Sequence, residues 1–119
     1  MSNGTNFNLE ERTFLFAQSV RAFCKKVTHH IINVQDIKQV VRSSGSVAAN
    51  YIEANESLSK ADFLYRIKVC RKEAKETKLW LNLIDIIDKP EIESTKSILV
   101  NEAMQLMLIF NAIIKKSSF

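Results

Sequence analysis

The sequence predicts an all-α domain, an up-down-up-down antiparallel four-helix bundle that assembles as a cyclic oligomer. Three observations lead to the bundle. The 119 residues contain only two Gly and one Pro, whereas an all-β domain needs many turn residues. Apolar side chains recur at three- and four-residue steps along four stretches, which is helical periodicity. The connections between those stretches are about 2–6 residues, short enough to turn each helix back against its predecessor. The length suits one core, so residues 1–119 are read as a single domain with helices at about 9–31, 34–56, 60–87 and 92–116.

The first helix opens with Asn8 and Glu11, the spacing of a capping box. Phe14, Ala17, Val20, Phe23, Cys24, Val27 and Ile31 make its apolar stripe. For the second helix the reading is Asn33 as N-cap, Asp36 at the third position and an Ile32–Ile37 staple. Its stripe is Ile37, Val40, Val41, Ser44, Val47, Ala48, Tyr51 and Ile52, interrupted by Gly45, a small residue over which another helix could come close. The third helix opens on Ser59 and Asp62 with a Leu58–Phe63 staple. It carries Phe63, Ile67, Cys70, Ala74, Thr77, Leu81 and Ile84 inward, and Asp88-Lys89-Pro90 closes it because proline cannot continue the ladder. The fourth ends on Lys115 and Lys116, cations suited to a helix C-terminus. The first six residues and the last three look loose.

Hydrophobic residues make up 46% and charged residues 25%, which excludes a disordered chain. Cys24 and Cys70 form no framework, so a reduced, cytoplasmic setting is expected. The start, Met1 to Asn6, lacks the basic and apolar regions of a signal peptide. Asn101, Glu102, Gln105 and Asn111 interrupt the greasiest stretch, so no membrane span is expected.

Catalytic and metal chemistry find no foothold. The only histidines, His29 and His30, lack a Glu three residues before them and point to different faces, so they read as exposed residues near a helix end. There is no glycine-rich phosphate loop. Ser43, Ser44 and Ser46 have no obvious base near them in sequence. No enzyme, cofactor or small-molecule substrate is expected.

What stands out suggests partners. Residues 60–78 carry seven Lys/Arg against three Asp/Glu, while the rest of the chain sums to zero. On a helical wheel at about 100° per residue, Lys68, Arg71, Lys72, Lys75 and Lys78 share one flank. Glu73 and Glu76 occupy the opposite flank near Val69, Trp80, Leu83 and Ile87. The plain reading is a solvated helix with a Lys72–Glu76 pair. The other is that the two flanks are complementary and join copies head to tail into a ring. On the fourth helix Val100, Met104 and Leu108 lie away from the stripe of Leu99, Leu106, Phe110, Ile113 and Ile114, and that second apolar side needs cover, such as another subunit. Nucleic acid is the alternative occupant of the basic flank. Tyr65 and Trp80 are the aromatics of this helix off the core stripe, although nothing in the sequence singles either out as a stacking platform.

The run Arg42-Ser-Ser-Gly-Ser-Val-Ala-Ala-Asn-Tyr-Ile-Glu-Ala-Asn-Glu-Ser-Leu-Ser-Lys-Ala-Asp-Phe63, followed by Arg66-Ile-Lys-Val-Cys-Arg-Lys-Glu-Ala-Lys-Glu-Thr-Lys-Leu-Trp-Leu81, resembles the 23S rRNA intervening-sequence protein family. Ala54 stands where many members carry Gly. The resemblance implies a bacterial, cytoplasmic four-helix bundle forming a homopentamer, often described as ribosomal-like. It also implies a fold similar to the accessory protein of diversity-generating retroelements, a basic pentamer that partners nucleic acid. The family motif falls here on Arg42, Ser43, Ser46, Asn50, Glu53, Phe63, Glu73 and Glu76, expected to form a polar network joining helices 2 and 3 or joining subunits.

Two functions follow as expectations. One is a non-enzymatic oligomer binding RNA or a ribonucleoprotein through Lys68, Arg71, Lys72, Lys75 and Lys78. The other is a protein–protein adaptor whose charged flanks serve only self-assembly; in either, Val69, Trp80, Leu83, Val100, Met104 and Leu108 are expected at the subunit interface. A small hydrolase would need a pocket with a base near Ser43 or Ser46.

Overall fold

The structure is a computed structural model that describes residues 8–117. The expected leader-free start and most of the expected loose ends lie outside that range, although Ser117 still belongs to the last helix. Four helices follow one another: α1 (Leu9–Lys26), α2 (Ile31–Asn55), α3 (Lys60–Leu83) and α4 (Glu93–Ser117), the last entered through a 3₁₀ turn at Pro90–Ile92. There is no strand among the described residues. Asn8 Oδ1 accepts the Glu11 N–H at 2.8 Å and Ser59 Oγ accepts the Asp62 N–H at 3.0 Å, so both expected caps form.

Long-range bonds give the topology. Glu10 meets Asn55 and Arg21 meets Val41, so α1 and α2 run in opposite directions. Ser43 meets Thr77 and Asn50 meets Arg66, which makes α2 and α3 antiparallel. Arg71 meets Asn111 while Lys96 meets Asn82, which does the same for α3 and α4. The packing is uneven, closest between α2 and α3 and loosest between α1 and α4. The molecule measures 48 × 32 × 20 Å, two helix diameters thick but wider than a square bundle. Its open edge is the α1–α4 side, where Arg12, Leu15, Phe16, Ser19, Ile98 and Glu102 line a groove of about 460 Å³.

Phe16, Val20, Phe23, Val40, Val47, Ile67, Ala74, Leu81, Leu106 and Phe110 fill the core. Along α3 the expected stripe is inward as read, with Phe63 half-buried. By length and composition alone Pro90–Ser117 could cross a membrane, its most apolar 18-residue stretch having a mean hydropathy of 1.6. Here one face of α4 buries Leu99, Ala103, Leu106, Phe110 and Ile114 against the other helices.

The helix ends depart from expectation, for one reason. α1 stops at Lys26 and α3 at Leu83, each about four residues early. Asn33, expected to cap α2, is fully buried between the two breaks. Its Nδ2 donates to the Thr28 carbonyl at 2.9 Å and the Asp85 carbonyl at 2.8 Å, and its Oδ1 accepts the Asp85 N–H at 2.9 Å. Lys96 Nζ donates to the carbonyls of Asn82 and Ile84, and Thr28 Oγ1 donates to the Asp88 carboxylate at 2.6 Å. That hydrogen bond from Thr28 holds Asp88 below the usual carboxylate range. These tertiary partners take backbone groups that further helical turns would have used. His30 therefore becomes the cap of α2, its Nδ1 accepting the Asn33 N–H at 3.2 Å.

Several apolar expectations shift with the breaks. Ile31 and Ile32 are exposed, so neither the end of the α1 stripe nor the Ile32–Ile37 staple forms, and Leu58 at 98% exposure makes no staple with Phe63. Phe14 and Ile52 also face outward, while Thr13, Phe16 and Ser43 face inward. No neighbouring helix backbone crowds Gly45. A methyl there would lie 3.1 Å from the Arg21 guanidinium, which lies across it and donates to the Ala17 and Val41 carbonyls.

Two tests follow from this packing. Asn33→Ala strips partners from three part-buried backbone groups, and urea unfolding is expected to show a loss of about 3 kcal/mol. Burial pushes the Cys24 thiol up to about 11 and the Cys70 thiol up to about 12. Above pH 9 the unfolded chain sheds these protons while the folded chain keeps them, so stability should fall as pH rises from 9 to 11. Melting temperatures of the wild type and of a Cys24→Ala/Cys70→Ala variant across that range check it: the variant should show the shallower decline.

Candidate nucleic-acid interface

Each side of α3 has a different task. Ile67, Cys70, Ala74, Thr77 and Leu81 face the core. The side toward α2 carries a polar seam. Arg42 Nη1 lies 3.3 Å from Glu73 Oε1 and its Nη2 lies 3.2 Å from Glu76 Oε1. Glu73 is only 8% exposed, against 50% for Arg42, so the buried carboxylate has its charge partner within the same chain. One turn inward, the Ser43 and Thr77 hydroxyls are 2.7 Å apart and Thr77 Oγ1 donates to the Glu73 carbonyl. Further along, Asn50 Nδ2 donates to the Ser46 carbonyl and hydroxyl, and Asn50 Oδ1 accepts from Arg66 Nη1 at 3.0 Å. Arg42, Ser43, Ser46, Asn50, Glu73 and Glu76 thus all lie along the α2–α3 contact. Glu53 does not join them and is exposed.

The side of α3 turned to solvent is basic. Lys68, Lys72 and Lys75 are exposed and Lys78 is half-buried. Among the described residues none of the four makes an ion pair. The local Lys72–Glu76 pair does not form, because Glu76 turns to Arg42. Arg71 is half-buried and donates to Asn111 Oδ1 at 2.9 Å across the α3–α4 contact. With Lys72, Lys75, Met107, Leu108 and Asn111 it lines an open groove of about 470 Å³.

The 23S rRNA-intervening sequence protein family matches residues 5–110, nearly the whole chain. The chain belongs to that family. The helices also superpose on a crystal structure of a protein of unknown function from the S23 ribosomal protein family of Bacteroides thetaiotaomicron. That match has a TM-score of 0.75 and 28% identity over 91% of this chain and 99% of the other. No curated protein matches the chain.

In this family member the apolar edges are less uniform than the sequence suggested. Leu83 and Leu108 are half-exposed, at 51% and 50%. Trp80 and Val100 are partly covered by their own core, as Val69 and Met104 are partly buried. Met104 and Val100 line a depression with Asn82, Ile86 and Lys96. The Trp80 indole N–H is buried and makes no hydrogen bond. Among the described residues no group of three His, Cys, Asp or Glu side chains could hold a metal ion.

The sequence reading left Arg66, Asn111 and Asn33 without their roles. Each acts through a partner at least 16 residues away along the sequence that the fold brings into contact. The available signal was register: once Ser43 faces Thr77 in an antiparallel pair, Asn50 must face the stretch near Arg66 and Cys70.

The seam can be tested through its asymmetry. Arg42→Met leaves the buried Glu73 carboxylate unpaired and should cost about 2 kcal/mol in urea unfolding. Glu76→Gln breaks only the more exposed pair and should cost no more than about 0.5 kcal/mol.

Proposed function

We propose that this chain is a non-enzymatic RNA- or ribonucleoprotein-binding bundle, working as a cyclic assembly in the cytoplasm and using the exposed face of α3. The observation that carries the reading is the division of charge. Arg42 engages Glu73 and Glu76 within the subunit, whereas Lys68, Lys72, Lys75 and Lys78 make no ion pair among the described residues. A carboxylate already held by Arg42 is a poor complement for a second copy's lysines. Unneutralised lysines along one helix instead suit phosphates, with affinity that falls as salt rises. The family name points the same way without stating an activity.

Assembly remains part of the reading, with five copies implied by the resemblance. Half-exposed Leu83 and Leu108, and the open α1–α4 edge with exposed Ile98, support a further apolar contact between copies. A ring would repeat a modest basic face around an axis and raise its avidity. Those same apolar edges favour the second reading, an adaptor whose surfaces serve only protein contacts. Free buried thiols at Cys24 and Cys70 accord with a reducing compartment.

Lys68→Glu/Lys72→Glu/Lys75→Glu separates the two readings. RNA retention at low salt should fall at least tenfold, and the slope of log affinity against log salt should flatten by about 2 for three lost phosphate contacts. Light scattering should give the wild-type mass. Unchanged retention by an intact assembly would defeat the RNA reading, and dissociation would place this face at a subunit contact.

A further inference from the structure

The solvent face of α3 does not consist of lysines alone. Stepping back one turn from Lys68 reaches Tyr65, and Tyr65, Lys68, Lys72 and Lys75 follow one another at three- and four-residue intervals. At about 1.5 Å of rise per residue they form one stripe roughly 15 Å long. Tyr65 is 60% exposed. Its ring is not left to itself. The Arg66 guanidinium carbon lies 5.5 Å from the ring centroid, within reach of a cation–π attraction. Arg66 is held in turn by Asn50 Oδ1 at 3.0 Å, and Asn50 by the Ser46 carbonyl and hydroxyl. A chain of contacts from α2 therefore holds an exposed aromatic ring at the end of a row of unpaired cations.

We infer that the α3 face takes single-stranded RNA, with a base stacked on Tyr65 and the adjoining phosphates on Lys68, Lys72 and Lys75. This deepens the RNA reading and rests on it. Lysines alone would take any polyanion, duplex included. A projecting ring beside them adds a contact that only an unpaired, accessible base can make, and such stacking tolerates any base because each has a π-face. Arg66 and Asn50 are positioning residues here: they hold the ring and leave the strand to Tyr65 and the lysines.

The test measures binding by the full chain of three fluorescein-labelled probes of about 12 nucleotides. They are an unstructured oligouridylate, an RNA duplex, and an abasic strand with the same phosphates and no bases. Tyr65→Ala should weaken oligouridylate binding about 5- to 100-fold, while duplex and abasic binding stay within twofold of wild type, roughly 0.4 kcal/mol. Tyr65→Phe keeps the ring and should bind like the wild type. Arg66→Gln should lower oligouridylate affinity in part and leave the abasic strand unaffected. The exposure of Tyr65 makes folding of its variants straightforward to confirm by circular dichroism. If Tyr65→Ala binds oligouridylate as tightly as the wild type, or weakens the abasic strand equally, the stacking inference is wrong, yet the RNA reading survives if Lys68→Glu/Lys72→Glu/Lys75→Glu still abolishes binding. If the wild type binds none of the probes in a salt-dependent way, both fall together.

Discussion

The rest of the molecule depends on the register of the α2–α3 hairpin. That register is fixed by polar groups as well as by packing. The Ser43 and Thr77 hydroxyls meet at 2.7 Å in a fully buried position, and a slip of either helix would break that shared bond in a low-dielectric core, leaving each hydroxyl only a carbonyl of its own helix. Hydrophobic side chains tolerate small slips, because one aliphatic contact can replace another. A buried hydroxyl pair does not. Once Ser43 faces Thr77, Arg42 falls beside Glu73 and Glu76, and Asn50 falls beside Arg66. The seam therefore decides which charges of α3 are neutralised inside the chain and which remain for solvent.

This seam divides the charges of α3 by function. A helix with seven cations and three anions between residues 60 and 78 could pair them locally along its own surface. Arg42 prevents that for Glu73 and Glu76, because an arginine from the neighbouring helix reaches both carboxylates. Each pair is modest, given that half of the Arg42 side chain sees water. The consequence for the surface is larger than the consequence for stability. By taking the acids inward, the contact leaves Lys68, Lys72 and Lys75 without an ion pair among the described residues.

Much of this was legible in the sequence because it is periodic. The four helices, the α3 core stripe, the caps at Asn8 and Ser59, and the separation of basic from acidic flanks all follow from spacing within one helix. The boundaries near Thr28 and Leu83 were not, because tertiary partners set them. Asn33 looks like a cap when only its neighbours are considered, and becomes a buried bridge once Asp85 is brought against it. The same limit applied to the candidate site. Tyr65 and the lysines share a face that a wheel displays, but the support of Tyr65 by Arg66, Asn50 and Ser46 spans two helices. Local pattern shows which residues share a face, and register shows what stands behind them.

The open α1–α4 edge bears on how such a face could work. α3 packs closely against both α2 and α4, α1 rests mainly on α2, and α1 and α4 meet only sparsely. The bidentate Arg12–Glu102 pair, at 2.7 and 2.9 Å, is the polar link across that edge, and Glu102 raises the affinity of Arg12 for its proton. An edge joined this way can accept a neighbouring subunit without disturbing the α2–α3 half, where the polar seam and the lysine stripe lie. Copies meeting through α1 and α4 would leave their α3 faces turned outward. A contact over Leu108 would instead cover the groove that it shares with Lys72 and Lys75, so assembly and binding would compete there and not at the α1–α4 edge.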